Sequence, residues 1–343
     1  MRVGVLTGGG DCPGLNAVIR AVVRTGIAGY GHEHVGFLHG WRGILEQETR
    51  PLNMQTVSGI LQLGGTMLRS SRTNPYSRER GPEEVVKAAA DQGLDALIAI
   101  GGEDTLGVAN KLHTDFDFPV VGVPKTIDND LSGTDVTFGF WTAVQIAVDA
   151  IDRLHTTADS HDRVMVVEVM GRHAGWIALE SGIAGGADAI LIPEVPMAVE
   201  RVAELVKRRE ARGKEFSIVV VSEGVHFTDM DAGSDALDEF GHVQLANQDV
   251  GAYLARRVKE LTGKDSRAVV LGHTQRGGTP LAFDRSLATR FGVRAAEMVA
   301  EGKFGRMAAL VGNKISDVPL AEAVGTLKTV PPEYYAKVMP FLG

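Results

Sequence analysis

Short β-branched runs recur along this chain, and a glycine or polar segment follows each one. They occupy residues 2–7, 96–100, 120–123, 164–169, 189–192, 218–221 and 268–271. Segments of helical period lie between them, at 82–92, 141–156, 198–212 and 248–262. Strand alternating with helix predicts an α/β fold, a mostly parallel sheet with helices on both faces. The near-continuous apolar strands agree, because parallel strands are buried on both sides. At 343 residues, the chain has the length of two such domains at about 150 residues each.

Open α/β sheets bind ligands outside the carboxyl ends of their strands. The polar segments stand there: Gly8-Gly9-Gly10-Asp11, residues 101–105, 124–130 and 170–172, Glu223-Gly224, and residues 272–278. Together they describe one rim of glycine mixed with Asp, Glu, Lys, Arg and His. Residues 229–238 read as a mobile surface loop.

The net charge of −8 argues against a general nucleic-acid binder, which needs a basic surface to displace counterions. A few local arginines still dominate a cleft, so small anions stay open. The single cysteine, Cys12, excludes an internal disulfide and a multi-cysteine metal site. A reducing, cytoplasmic setting is expected. Met1-Arg2 runs directly into Val3-Gly4-Val5-Leu6, so no leader is expected. No run of eighteen apolar residues predicts a membrane span.

The 8–11 turn has two readings. Glycines let backbone N–H groups approach an anion, and a following helix start favours it. The alternative is an ordinary tight βα turn. It is not a dinucleotide fingerprint, because Pro13 stands where the third Gly or Ala belongs. Nor is it a Walker A loop, because Leu15-Asn16 follow Gly14 in place of Lys and Ser or Thr. Residues 101–105 set Glu103 and Asp104 side by side. Mg²⁺ is held by hard oxygen ligands, often one or two carboxylates plus phosphate oxygens. An N-cap cluster opening a helix at 106–112, with Thr105 as cap, explains the same residues. Residues 124–130 combine one lysine with two aspartates. Asp128 suits a general base at a hydroxyl, and Lys125 suits a cation at a moving phosphoryl group. An Asx turn explains Asp128-Asn129-Asp130 but not the lysine. Arg163, Arg172, Arg267 and Arg276 flank strands, with His273 nearby, and Arg suits bidentate phosphate recognition.

These stretches resemble the bacterial-type 6-phosphofructokinase superfamily. The resemblance runs from residues 4–11 to Phe291-Gly292 and includes Gly64-Gly65-Thr66 and residues 124–130, 160–163, 167–175 and 272–278. It implies two doubly wound domains with the active site in the cleft between them. The expected phosphoryl-donor domain is 1–139 plus 252–305. The expected fructose 6-phosphate domain is 140–251 plus 306–325, with a tail at 326–343. Asp128 then takes the proton of the sugar 1-hydroxyl, and Thr126 and Asp130 position hydroxyl, phosphoryl group and metal. Met170, Gly171, Arg172, Glu223, His273 and Arg276 form the sugar-phosphate pocket. Arg163 and Arg267 reach the 6-phosphate from a neighbouring subunit, which implies a homodimer or homotetramer with shared sites. Gly10, Arg72, Gly102, Glu103, Asp104, Thr105 and Lys125 face the donor. Glu103 is the expected Mg²⁺ ligand, and Arg72 balances charge on the moving group.

The donor turns on two positions. Nucleotide-using members usually carry Gly where this chain has Asp104, and many carry Gly at Lys125. Pyrophosphate-using members resemble this chain at both. A carboxylate at 104 intrudes where the α-phosphate and ribose of ATP must lie, and pyrophosphate ends before that point. Asp104 carries most of this weight, since some ATP-using relatives share the lysine. An ATP-dependent 6-phosphofructokinase is the alternative, and a silent sugar-phosphate sensor is the alternative of a different class. Arg20, Arg24, Arg153, Arg212 and Lys214 resemble parts of the family's effector site. They read equally as solvated faces or interface ion pairs, so no effector site is assigned to them.

Overall fold

The computed structural model describes residues 1–227, 230, 240–241 and 249–339. Its strands are β1 (Arg2–Thr7), β2 (Glu33–Phe37), β3 (Thr49–Leu52), β4 (Ala96–Gly101), β5 (Val120–Thr126), β6 (Phe138–Gly139), β7 (Val164–Val169), β8 (Ala189–Leu191), β9 (Ser217–Ser222), β10 (Ser266–Val270), β11 (Arg306–Val311) and β12 (Lys314–Pro319). Its helices are α1 (Leu15–Tyr30), α2 (Trp41–Leu45), α3 (Gly81–Asp91), α4 (Glu103–Phe116), α5 (Phe140–Ser160), α6 (Trp176–Ala184), α7 (Val199–Glu210), α8 (Val250–Thr262), α9 (Ala282–Ala300), α10 (Leu320–Gly325) and α11 (Pro332–Val338). Apart from Met230, the loop expected at 229–238 lies outside the described residues.

The chain divides into two compact units. The first holds a sheet in the order β12-β11-β5-β4-β1-β2-β3, with β6 beside β5. Its centre is parallel, while β3 and β12 close the edges antiparallel. Chain order reverses at β1, whose two neighbours are β2 and β4. The carboxyl ends of β1 and β4 therefore flank a topological switch point. One face of the sheet buries Leu6, Phe37 and Leu97 with Trp41, Leu106, Leu112 and Leu320 of the helices. Each such side chain contributes about 1.5–3 kcal/mol when fully withdrawn from water. On α9, Gly292 lets α1 approach, since a Cβ there would stand 2.7 Å from Ala21 Cβ.

The second unit holds the parallel sheet β10-β7-β9-β8. Its core joins Val164, Val166, Leu191, Val219 and Val221 to Val202, Leu205, Leu254 and Val258 on the helices. Glu168 on β7 is buried and accepts the Gly251 N–H at 2.7 Å, which fastens α8 to this sheet.

The expected domain boundaries need correcting. Residues 252–275 belong to the second unit, and residues 306–325 belong to the first. Backbone pairing is the reason. β10 pairs with β7 from Ser266 opposite Val164, whereas β11 pairs with β5 at Arg306 opposite Val121. The expected tail also splits, with 326–327 in the first unit and the rest in the second.

Candidate active site

In the first unit, Gly8 N–H donates to Ile100 O and Gly9 N–H to Ser71 O, both at 3.0 Å. These bonds tie the glycine turn to β4 and to the segment carrying Arg72, whose side chain is exposed. The turn needs its glycines. A methyl at Gly8 would drive into the Thr105 side chain, and a Cβ at Gly10 would stand 2.6 Å from the Arg276 guanidinium. Helix α1 starts only at Leu15, so residues 11–14 separate the turn from the helix end. Asn16 is buried, with its amide spanning Leu63 O, Gly64 O and Met67 N–H at 2.8–3.2 Å. Its position in place of a Walker hydroxyl is thereby explained structurally.

Helix α4 begins at Glu103 with Gly102 as its N-cap, and no side chain caps it. The expected Thr105 cap is therefore corrected: Thr105 is buried in the first turn, against Gly8 and Gly101. Glu103 and Asp104 occupy the same turn, where the helix dipole favours negative charge.

Strand β5 continues through Thr126, so Pro124 and Lys125 lie within it and not beyond it, as the sequence reading placed them. Pairing extends because Lys125 and Thr126 meet Phe138 and Gly139 of β6. Lys125 is 3% exposed, and its Nζ donates to Gly10 O at 2.5 Å. Burial pushes its pKa down, and the neighbouring Arg276 adds to this, while Asp128 and Asp11 oppose it. Thr126 Oγ1 accepts the Asp128 N–H at 3.0 Å. Asn129 takes the left-handed conformation, φ 53°, and its Oδ1 accepts Thr137 N–H at 3.0 Å. Thr137 Oγ1 returns a 2.8 Å bond to Thr126 O. The segment is thus braced around Asp128, whose Oδ1 is buried with no hydrogen-bond partner. Leaving such an oxygen unpaired costs about 1–3 kcal/mol, more when charged, so it is poised to accept from a ligand. Arg276 donates to Asp11 O at 3.3 Å, placing its guanidinium by Gly10.

Burial first, then the charges of Asp128 and Glu103, push Asp130 up to about 7. A carboxyl whose ionisation is opposed by two neighbouring carboxylates suits the company of a hard cation. Among the described residues, no group of three or more His, Cys, Asp or Glu is arranged to hold a metal unaided. The raised value also has a stability consequence. Between about pH 4 and 7 the folded chain keeps a proton that the unfolded chain has released. Stability from Asp130 is full below that window and is lost as pH rises through 7. Asp130→Asn should therefore melt higher than wild type at pH 8, and equally at pH 4. Screening of this partly exposed group limits the gain to about 1 kcal/mol, or roughly 2–4 °C. Thermal scans without ligand at the two pH values measure it.

In the second unit, the neighbouring strands β10, β7 and β9 each end in residues singled out by the sequence. After β7, Met170 N–H donates to Gln275 Oε1 at 2.8 Å and Gly171 N–H to Glu223 Oε1 at 3.4 Å. Gly171, at φ 134°, accepts from Ser222 Oγ at 2.5 Å and Gly224 N–H at 3.1 Å. Arg172 follows, partly exposed, and His273 is exposed in the turn after β10. Gln275 and Ser222 escaped the sequence reading as functional candidates. Their signal was only adjacency to Arg276 and Glu223.

Arg163 and Arg267 are placed elsewhere. Arg163 precedes β7 and Arg267 is the second residue of β10, so both sit at the amino ends of their strands. They converge on Asp265 at 2.8 and 3.4 Å, with Lys259 on its other oxygen at 3.0 Å. A strand of this length separates them from Arg172 by roughly 20 Å at ~3.3 Å per residue. The structure therefore does not bring them together with the 170–172 loop of their own chain. Of the basic residues resembling an effector site, Arg24, Arg153, Arg212 and Lys214 are exposed.

A family profile named Phosphofructokinase matches residues 2–299. The chain belongs to the phosphofructokinase family. It is 62% identical over its full length, and over all of the relative, to a pyrophosphate--fructose 6-phosphate 1-phosphotransferase of Amycolatopsis methanolica. It is 54% identical to ATP-dependent 6-phosphofructokinase 2 of Streptomyces coelicolor, covering 96% of this chain and 97% of that one. Among solved structures, it resembles phosphofructokinase from Saccharomyces cerevisiae with a TM-score of 0.80 at 31% identity, spanning 99% of this chain and 46% of the yeast chain. It also resembles the pyrophosphate-dependent phosphofructokinase of Marinobacter aquaeolei, TM-score 0.81 at 26% identity, covering 97% of this chain and 86% of that one. No described helix is long and apolar enough to cross a membrane.

Proposed function

We propose that this member of the phosphofructokinase family transfers a phosphoryl group from pyrophosphate to the 1-hydroxyl of fructose 6-phosphate. The products are fructose 1,6-bisphosphate and phosphate, and the reaction is reversible. The observation that carries the reading is Asp128, a braced carboxylate with a buried, unpartnered oxygen, on the same segment as a buried lysine. A base held in this way can reach a hydroxyl proton.

Asp128 accepts the proton of the sugar 1-hydroxyl as that hydroxyl's oxygen attacks the terminal phosphorus of pyrophosphate. The bond to the bridging oxygen breaks, and its electron pair leaves with phosphate. Lys125 and Arg72 offset the negative charge on the transferring and leaving groups, and Thr126 and Asp130 orient the acceptor. Gly10, Gly102 and Thr105 shape the donor subsite by letting backbone approach. Glu103, with Asp130, would hold Mg²⁺, which supplies further charge neutralisation at the phosphates when bound. Met170, Gly171, Arg172, Glu223, His273 and Arg276 take the sugar phosphate.

Asp104 supports pyrophosphate as donor, as does the name of the 62%-identical relative. The ATP-dependent relative at 54% keeps ATP as the second reading. Fructose 6-phosphate and Mg²⁺ with either donor, followed by bisphosphate formation, separates them. A cytoplasmic setting belongs to the same proposal, supported by the unpaired, buried Cys12 thiol.

We further propose that Arg163 and Arg267 serve the site of a neighbouring copy, in a homodimer or homotetramer. Their place at the amino strand ends supports this, as does the excess of three cations over the one Asp265 carboxylate. Arg163→Ala should raise KM for fructose 6-phosphate about tenfold or more and leave kcat within a few-fold, because a remote phosphate is bound alike in ground and transition states. Mixed with Asp128→Asn subunits, it should regain activity at hybrid sites carrying both wild-type residues. Verified hybrids without activity would remove the shared site.

A further inference from the structure

Glu194 lies outside every motif considered so far. It stands in the tight turn after β8, where Ile192 and Val195 form a bridge. Its carboxylate accepts Gly175 N–H through both oxygens, at 2.9 and 3.1 Å. The same Oε1 accepts Val330 N–H at 2.8 Å. Gly175 is the N-cap of α6 and offers no side chain to its own helix end. Glu194 brings negative charge to that end from another element, where the helix dipole favours it, through charge-assisted bonds. The position requires glycine, since a Cβ on Gly175 would stand 2.4 Å from the Cβ of Ile192, beside Glu194 Oε2 at 2.9 Å.

The location matters because residues 171–175 carry Arg172. Ser222 and Gly224 hold the loop at Gly171. Glu194 holds it at Gly175, leaving three residues between two fixed points. The third bond ties this arrangement to the C-terminal segment. That segment is docked by Trp176 Nε1–H to Lys328 O at 2.8 Å and by Tyr335 O–H to Ile190 O at 2.6 Å. We infer that Glu194 is a positioning residue for fructose 6-phosphate, clamping the Arg172 loop between α6 and the C-terminal segment. The inference rests on the proposed role of Arg172 in that pocket.

The test measures fructose 6-phosphate affinity by calorimetry and steady-state kinetics in the full-length chain. Glu194→Ala should weaken fructose 6-phosphate binding and raise its KM about tenfold. The KM for pyrophosphate should stay within twofold and kcat within about threefold. Glu194→Gln keeps one acceptor oxygen and should recover part of the affinity. If Glu194→Ala does not fold, the Gln variant is read by the same split between the two substrates. Loss of affinity for both substrates together, or none for fructose 6-phosphate, overturns the inference. A wild type that binds no fructose 6-phosphate overturns the pocket assignment as well. A wild type that binds it, beside a Glu194→Ala chain that binds it equally, overturns the clamp alone.

Discussion

Asp128→Asn is expected to cut kcat by about 10²–10⁴-fold, the usual contribution of a positioned base, while fructose 6-phosphate still binds. Asparagine keeps the size of the side chain and an oxygen that accepts a hydrogen bond, but it cannot take up the proton. The bracing around position 128 uses backbone and neighbouring side chains, namely Thr126 Oγ1, Asn129 Oδ1 and Thr137 Oγ1. The substitution should therefore leave the local fold intact, and Asp128→Ser should behave alike. Single-turnover rates with calorimetric binding separate chemistry from affinity. A fall in kcat of less than tenfold in both variants would show that Asp128 is not the base.

Asp104→Gly should raise kcat/KM for ATP roughly ten- to a hundredfold, chiefly through a lower KM. Asp104 lies in the first turn of α4, next to Glu103. In the proposed donor site its charge would oppose a phosphate beyond the β-position by ~1–4 kcal/mol at 4 Å, depending on the effective dielectric. Each 1.36 kcal/mol, about one such contact in a screened site, is tenfold in rate. The nucleotide tail is bound in ground and transition states alike, so the change belongs in KM. The glycine costs about 1 kcal/mol of helix stability at most, visible as a small fall in melting temperature. Removing Lys125 as well should weaken pyrophosphate use, because the buried ammonium is the compact cation proposed for the donor. Unchanged kcat/KM for ATP in Asp104→Gly would show that position 104 does not select the donor.

Seven parallel strands were legible from apolar runs, as at Val164–Val169, because burial on both faces favours such runs. The parallel strands β2 and β11 and the antiparallel edge strands β3 and β12 were not. β3 contains Pro51, and β12 alternates partly buried with exposed residues; neither forms an apolar run. The domain boundaries failed for a related reason. The run at 268–271 and residues 306–311, which were not read as a strand, are assigned to their sheets only by hydrogen-bonding register. Site residues at strand ends could be found from residue type, because glycine beside charge is unusual after a buried strand. Residues that act by holding backbone in place, such as Gln275, Ser222 and Glu194, resemble ordinary polar residues until their partners are seen. The extension of β5 through Lys125 was hidden by Pro124, which reads as a strand terminator. It sits opposite Gly101, where β4 itself ends.

Steady-state kinetics of the wild-type chain tests the donor assignment most directly, using fructose 6-phosphate and Mg²⁺ with pyrophosphate or ATP as the only phosphoryl source. The expected result is saturable, reversible bisphosphate formation with pyrophosphate and little turnover with ATP. Robust turnover with ATP and none with pyrophosphate would contradict the account.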